Sequence, residues 1–193
     1  MLSPKRQALK ERLTDAGERQ IAKGGIVALK ARELAAEVGC ALGGIYSAYG
    51  DLGELAVEVN RRTLEQLEEH MRQAVVGLTR EGPEERLISL AQAYLDYAER
   101  EGPRWRTLFS IGLSEDGEHP GFFDALQPVI DLIKEQLDEL YPAKTSRTLE
   151  GEARLFFAAL HGAVSLGMET RLSVLERQGL QNRLTTMVEK FAA

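Results

Sequence analysis

Residues 31–55 read ARELAAEVGCALGGIYSAYGDLGEL, and the fold follows from how this stretch is punctuated. Ala31 to Val38 has the composition of a short helix, Gly39 interrupts it, and a second short helix is centred on Gly44 to Tyr49. Gly50-Asp51 then separates that helix from another amphipathic start at Leu52. Two short helices about a glycine turn form a helix-turn-helix pattern, in which the first helix braces on phosphates and the second enters the major groove.

Outward from this unit the chain reads as helical throughout. Apolar residues recur three and four apart, and no run of alternating β-branched residues is bounded by turn pairs. The expectation is an all-α protein of about nine helices. The first should run from about Pro4 to Lys23, ended by Gly24-Gly25. From Leu52 a helical stripe continues to Gly82-Pro83, a long connecting helix that would carry movement between the two ends. Proline at the first turn then marks helices over Glu84 to Glu101 and Arg104 to Ile111. Ser114 to Gly121 reads as a loop. The last three helices are expected at Phe122 to Leu140, with Pro128 in or near its first turns, at Thr148 to Glu176, and at Leu180 to Phe191. The division implied is a helix-turn-helix DNA-binding domain at 1–51 and a helical domain at 52–193.

Charge separates the two ends. The formal net charge is -6, yet residues 1–32 carry eight Lys or Arg against three acids, a local +5 within an acidic chain. A start of Met1-Leu2-Ser3-Pro4-Lys5-Arg6 lacks a secretory pattern, a single cysteine (Cys40) excludes an intrachain disulfide, and no window is apolar enough to span a membrane. These features lead to an expected cytoplasmic location. No phosphate-cradling glycine loop, nucleophile elbow or zinc-ligand spacing is present, so neither an enzyme nor a cofactor or metal is expected.

The segments RELAAEVG (32–39) and GGIYSAYGDLGEL (43–55) resemble the DNA-binding signature of the tetracycline-repressor (TetR) family, with Gly43, Ile45, Tyr46, Tyr49 and Leu55 in register. AYLDYAEREGPRWRTLF (93–109), with His161-Gly162 further on, is similar to the tryptophan and histidine-glycine (WHG) type of C-terminal domain in that family. The resemblance implies a repressor that dimerises through its last two long helices and leaves double-stranded operator DNA when a small molecule binds. By matching positions it makes Tyr46 a phosphate contact and places Ala41, Leu42, Gly43, Gly44 and Ser47 against bases or backbone. Lys30 and Arg32 open the bracing helix and are placed to grip phosphate.

Three positions depart from the commonest family pattern: Ala41 and Gly44 stand where hydroxyl residues are usual, and Leu52 stands where a phosphate-binding lysine is usual. Cys40 to Gly50 contains no Lys or Arg, which removes the arginine-to-guanine contact from the second helix itself. Readout is therefore expected from Ser47, from a methyl contact by Ala41 or Leu42, and from an N-terminal arm carrying Lys5 and Arg6. A helical module that no longer binds DNA is the alternative these departures raise.

Aromatic residues concentrate toward the C-terminus. Tyr94, Trp105, Phe109, Phe122, Phe123, Phe157, His161 and Met168 are the candidate lining of an effector pocket, although aromatics equally build ordinary cores and His161 could be a hydrogen-bonded structural histidine. Ala159, Gly162 and Ala163 permit close helix approach, and Leu180, Leu184, Met187, Val188 and Phe191 form an apolar stripe. Together they are the candidate homodimer interface. Pairing matters because two recognition helices must sit on the order of 34 Å apart to fit a palindromic site.

Overall fold

The computed structural model describes residues 4–109, 120–169 and 179–192. Among these residues there is no strand. The elements are α1 (Pro4–Gly24), a 3-10 turn (Ile26–Ala28), α2 (Ala31–Val38), α3 (Leu42–Tyr49), α4 (Leu52–Val75), α5 (Pro83–Arg100), α6 (Gly102–Thr107), α7 (Pro120–Leu140), α8 (Ser146–Met168) and α9 (Leu180–Ala192). No helix among the described residues is long and apolar enough to cross a membrane.

The chain forms two compact units, residues 1–65 with 101–125 and residues 66–100 with 126–193. In the first, α1 packs on α2, α3 and α6. Leu13, Ala16 and Ile21 of α1 meet Leu34 and Val38 of α2, Ile45 and Ala48 of α3, and Leu55 and Val59 of α4 in one buried cluster. Full burial of a Leu, Ile or Val side chain contributes about 1.5–3 kcal/mol, so this cluster holds α2 and α3, eight residues each and too short to be stable alone. In the second unit α5 lies against α8 and α9. Leu87, Leu90, Ala91, Tyr94 and Leu95 are buried there with Phe156, Leu160, Val164, Leu180, Leu184 and Val188.

Several boundaries differ from those the sequence suggests. α4 stops at Val75 rather than near Gly82, because Gly77 adopts φ 94 and turns the chain out of the helix. Pro120 and Gly121 open α7 instead of closing a loop, which puts Pro128 in the third turn rather than the first. There it removes one ladder hydrogen bond within an otherwise continuous helix. α6 ends at Thr107, short of the expected Ile111, with Leu108 as its C-cap, and α8 ends at Met168, short of the expected Glu176, where Glu169 turns extended; residues 110–119 and 170–178 lie outside the described residues.

Candidate nucleic-acid interface

The turn between α2 and α3 requires a left-handed residue, and Gly39 supplies it with φ 69 and ψ 42. Its N–H and that of Cys40 both reach the carbonyl of Ala35, the latter at 3.0 Å, which closes the end of α2. The end is further held by α1, whose Arg12 guanidinium donates to the Val38 carbonyl, while Arg19 Nε lies 2.7 Å from Glu37 Oε1. At the opposite end of α2, the Lys30 backbone N–H donates to Gln20 Oε1 at 3.0 Å.

α3 divides by face. Ile45, Ala48 and Tyr49 point inward, while Ala41, Leu42, Gly43, Tyr46 and Ser47 are exposed and Gly44 is intermediate. The two tyrosines have opposite surroundings. The Tyr49 hydroxyl lies 2.5 Å from Thr14 Oγ1, its ring carries the Lys10 ammonium 4.5 Å from the centroid, and burial pushes its pKa above the ordinary tyrosine value. Tyr46 is 47 % exposed. Ala41 occupies the N-cap of α3 without a side-chain hydrogen bond, and Ser47 Oγ donates to the Gly43 carbonyl at 2.9 Å. The outer face of α3 is thus small, nearly neutral and led by Tyr46.

Exposed cationic side chains stand at the starts of α1 and α2. Lys5, Lys30 and Arg32 are exposed and have no acidic partner among the described residues, and Arg6 is exposed near the start of α1. Leu52 is partly buried against the core cluster, so an apolar side chain there completes the packing of α4 on the first unit. Asp51 caps α4 instead, accepting from the Glu54 N–H at 2.8 Å.

The sequence reading passed over one supporting network. Arg62 of α4 lies 2.7 Å from Asp15 and 3.4 Å from Glu18 and also bonds Glu11, three acids spaced along one face of α1. Partial burial opposes its charge, but the Asp15 hydrogen bond and the carboxylates of Glu18 and Glu11 outweigh it and raise its pKa. The signal was the 11, 15, 18 acid spacing on α1, which points to one cation rather than to solvent. Asn60 Nδ2 donates to the carbonyls of Thr107 and Leu108 at 3.1 and 3.2 Å, tying α4 to α6.

The candidate effector residues fall into two sets. In the second unit Tyr94 Oη lies 2.7 Å from His161 Nδ1, His161 Nε2 lies 3.2 Å from Ser165 Oγ, and Phe157 stacks on His161 and meets Tyr94 edge-on. Burial lowers the His161 pKa, so the ring is neutral at pH 7. Met168 ends α8 at intermediate exposure. In the first unit Phe109 and Phe122 pack edge-on at 5.6 Å, with Phe123 52 % exposed beside them and Trp105 buried.

The candidate dimer residues divide as well. Leu180, Leu184 and Val188 are buried within their own chain, and Gly167 lets Leu180 approach so closely that a Cβ there would lie 2.7 Å from its Cδ2. These side chains therefore turn inward and support α9 rather than present it. Ala159 is exposed, and Gly162, Ala163, Met187 and Phe191 are intermediate. Leu155, 62 % exposed, and Leu166, 39 % exposed, extend the α8 face in both directions.

No curated protein matches the chain. Among solved structures, a protein of unknown function from Rhodococcus sp. RHA1 superposes with a TM-score of 0.74 at 20 % identity, covering 95 % of this chain and 93 % of that one. A tetR-family transcriptional regulator from Streptomyces coelicolor gives 0.68 at 16 % identity, covering 96 % and 80 %. The multidrug binding protein EbrR, complexed with imidazole, gives 0.64 at 17 % identity, covering 94 % and 93 %. These likenesses show the fold. Residues 87–191 match the family described as "Tetracyclin repressor-like, C-terminal domain", more than half of the chain and all of α8. The chain belongs to the tetracycline-repressor-like (TetR) family of transcriptional regulators.

Proposed function

We propose that the chain is a ligand-responsive transcriptional repressor that binds double-stranded operator DNA as a homodimer in the cytoplasm and is released by a small molecule. It performs no catalysis. The observation that carries this reading is the division of α3, with Tyr46 outward while Ile45, Ala48 and Tyr49 anchor the helix on α1 and α4. Lys30 and Arg32 grip phosphates beside it, Ser47 and the methyl-bearing Ala41 and Leu42 meet base edges, and Lys5 and Arg6 reach along the duplex.

The apolar face of α8, Leu155, Ala159, Gly162, Ala163 and Leu166, pairs with its copy to hold two such units, joined at its margin by Met187 and Phe191 of α9. The Tyr94, Phe157 and His161 cluster is the polar and aromatic end of the effector site, His161 being a neutral hydrogen-bonding group there. EbrR, a structural neighbour bound to imidazole, supports small-molecule sensing on this fold.

The test is a fluorescence-anisotropy titration against DNA from upstream of the protein's own gene. Saturable binding by the parent chain and a loss of about tenfold in Tyr46→Ala, about 1.4 kcal/mol, are expected. Equal binding by both overturns the assignment of α3. A second reading rests on the absence of any cation from Cys40 to Gly50: a helical module without DNA affinity. It predicts no retention of any duplex even at low salt.

A further inference from the structure

On the first unit, the end of α1, the 3-10 turn and α6 enclose a groove of about 530 Å³, the size of a small-molecule site. Gly25 makes it possible. Its φ of 70 favours glycine, and its backbone faces α6, where a Cβ would stand in ordinary contact with Thr107 Oγ1 at 3.7 Å and the Pro103 carbonyl at 3.8 Å. Ile26, Val27 and Pro103 provide apolar walls. Val27 is 74 % exposed, the most exposed large apolar side chain among the described residues.

The charged lining is of one sign. Lys23 and Arg106 both face the groove, both are exposed, and neither has a hydrogen-bond or ion-pair partner among the described residues. No acid lines it, in a chain where acids outnumber bases by 30 to 24. Two residues away on α6, Arg104 shows the usual outcome for a cation here: it lies 2.9 Å from Glu18 and 3.6 Å from Glu101. The Arg106 side chain instead lines the groove without an acidic partner, its guanidinium resting beside Gly102, whose Cβ would lie 3.4 Å from both terminal nitrogens. Two unpaired cations beside exposed apolar surface favour a ligand with one acidic end and one apolar end, since an arginine fork matches a carboxylate and desolvation strengthens the pairing.

We propose that this groove binds an amphipathic organic anion, its acid group held by Lys23 and Arg106 and its apolar part lying on Ile26, Val27 and Pro103. The site is separate from the Tyr94, Phe157 and His161 cluster, and the proposal does not depend on the regulatory reading. Octanoate and 1-octanol serve as probes, with the chain's single tryptophan, Trp105 on α6, as the fluorescent reporter. Octanoate should quench or shift Trp105 emission saturably and bind at least tenfold more tightly than 1-octanol. Lys23→Ala/Arg106→Ala should lose that preference while keeping its melting temperature, and Lys23→Arg/Arg106→Lys should retain it. Absence of octanoate binding, equal binding of octanoate and 1-octanol, or unchanged octanoate affinity in the double alanine variant overturns the proposal.

Discussion

α3 and α8 each carry an exposed face, but they separate inside from outside by different means. On α3 the inward residues are Ile45, Ala48 and Tyr49 and the outward ones are small or polar apart from Leu42 and Tyr46. On α8 both faces are apolar: Phe156, Leu160 and Val164 are buried in the chain's own core, while Leu155 and Leu166 stand exposed on the other side. A polar ligand such as DNA can be met by a face that differs in chemistry from the core. A second copy of the same helix is met by a face that resembles the core, and only burial tells the two apart.

The largest expected effect follows from the apolar face of α8. Ala159→Arg/Gly162→Arg places two charges where helices from two copies would pack, and multi-angle light scattering should show a monomer in place of a dimer. A dimer of unchanged mass would show that α8 faces solvent and that the comparison with α3 is misdrawn. Since Ala159 is exposed and a Cβ at Gly162 would meet nothing within 4 Å, the melting temperature of the monomer should reflect lost association rather than a broken core.

Next come the two tyrosines of α3. Tyr49→Ala removes a buried ring from the junction of α1 and α3 and should cost about 3–5 kcal/mol in a denaturant titration, the range of large aromatic truncations. Tyr49→Phe, which removes only the hydroxyl bonded to Thr14, should cost about 1 kcal/mol. Tyr46→Ala should change stability by no more than about 0.5 kcal/mol, as an exposed substitution. Similar losses from Tyr46→Ala and Tyr49→Ala would erase the inside-outside division of α3.

A smaller effect concerns charge. With no cation on α3, the proposed phosphate contacts are Lys5, Arg6, Lys30 and Arg32, and each such contact contributes about 0.9 to the slope of log K against log salt. Lys30→Ala/Arg32→Ala should flatten that slope by about 1.8. An unchanged slope would move the phosphate contacts away from the start of α2.

Much of this was legible in the sequence where a local rule acted alone. Gly39 announced the turn because a left-handed residue was needed there, whereas the helical period alone leaves Tyr46 and Tyr49, three residues apart, on neighbouring stripes, and only the family motif sets Tyr46 outward. The stripe on α9 was equally visible, yet it was assigned outward although Leu180, Leu184 and Val188 turn inward. Periodicity identifies an apolar face without saying what covers it. Arg12, Arg19 and Arg62 escaped for a related reason: their partners, the Val38 carbonyl, Glu37 and the acids of α1, lie 18 to 51 residues away in the chain. The groove of Lys23 and Arg106 joins positions still further apart, and nothing local to either marks it.

The smallest expected effect separates the two units by pH. Burial lowers the His161 pKa below that of an unfolded histidine, so the unfolded chain takes up a proton first as the pH falls. The stabilisation from keeping this ring neutral is fully present above the unfolded pKa of about 6.5 and is lost as the pH drops toward the folded value. His161→Gln keeps a hydrogen-bonding group toward Tyr94 without titrating. Its unfolding free energy should therefore fall less steeply than that of the parent chain below about pH 6.5, while the two should run parallel above it. The Tyr46→Ala chain should follow the parent at every pH, because Tyr46 is exposed and belongs to the unit that does not contain His161. A His161→Gln profile that parallels the parent through pH 5–6 would mean that protonation of this ring costs nothing, and that the Tyr94 contact accepts either charge state.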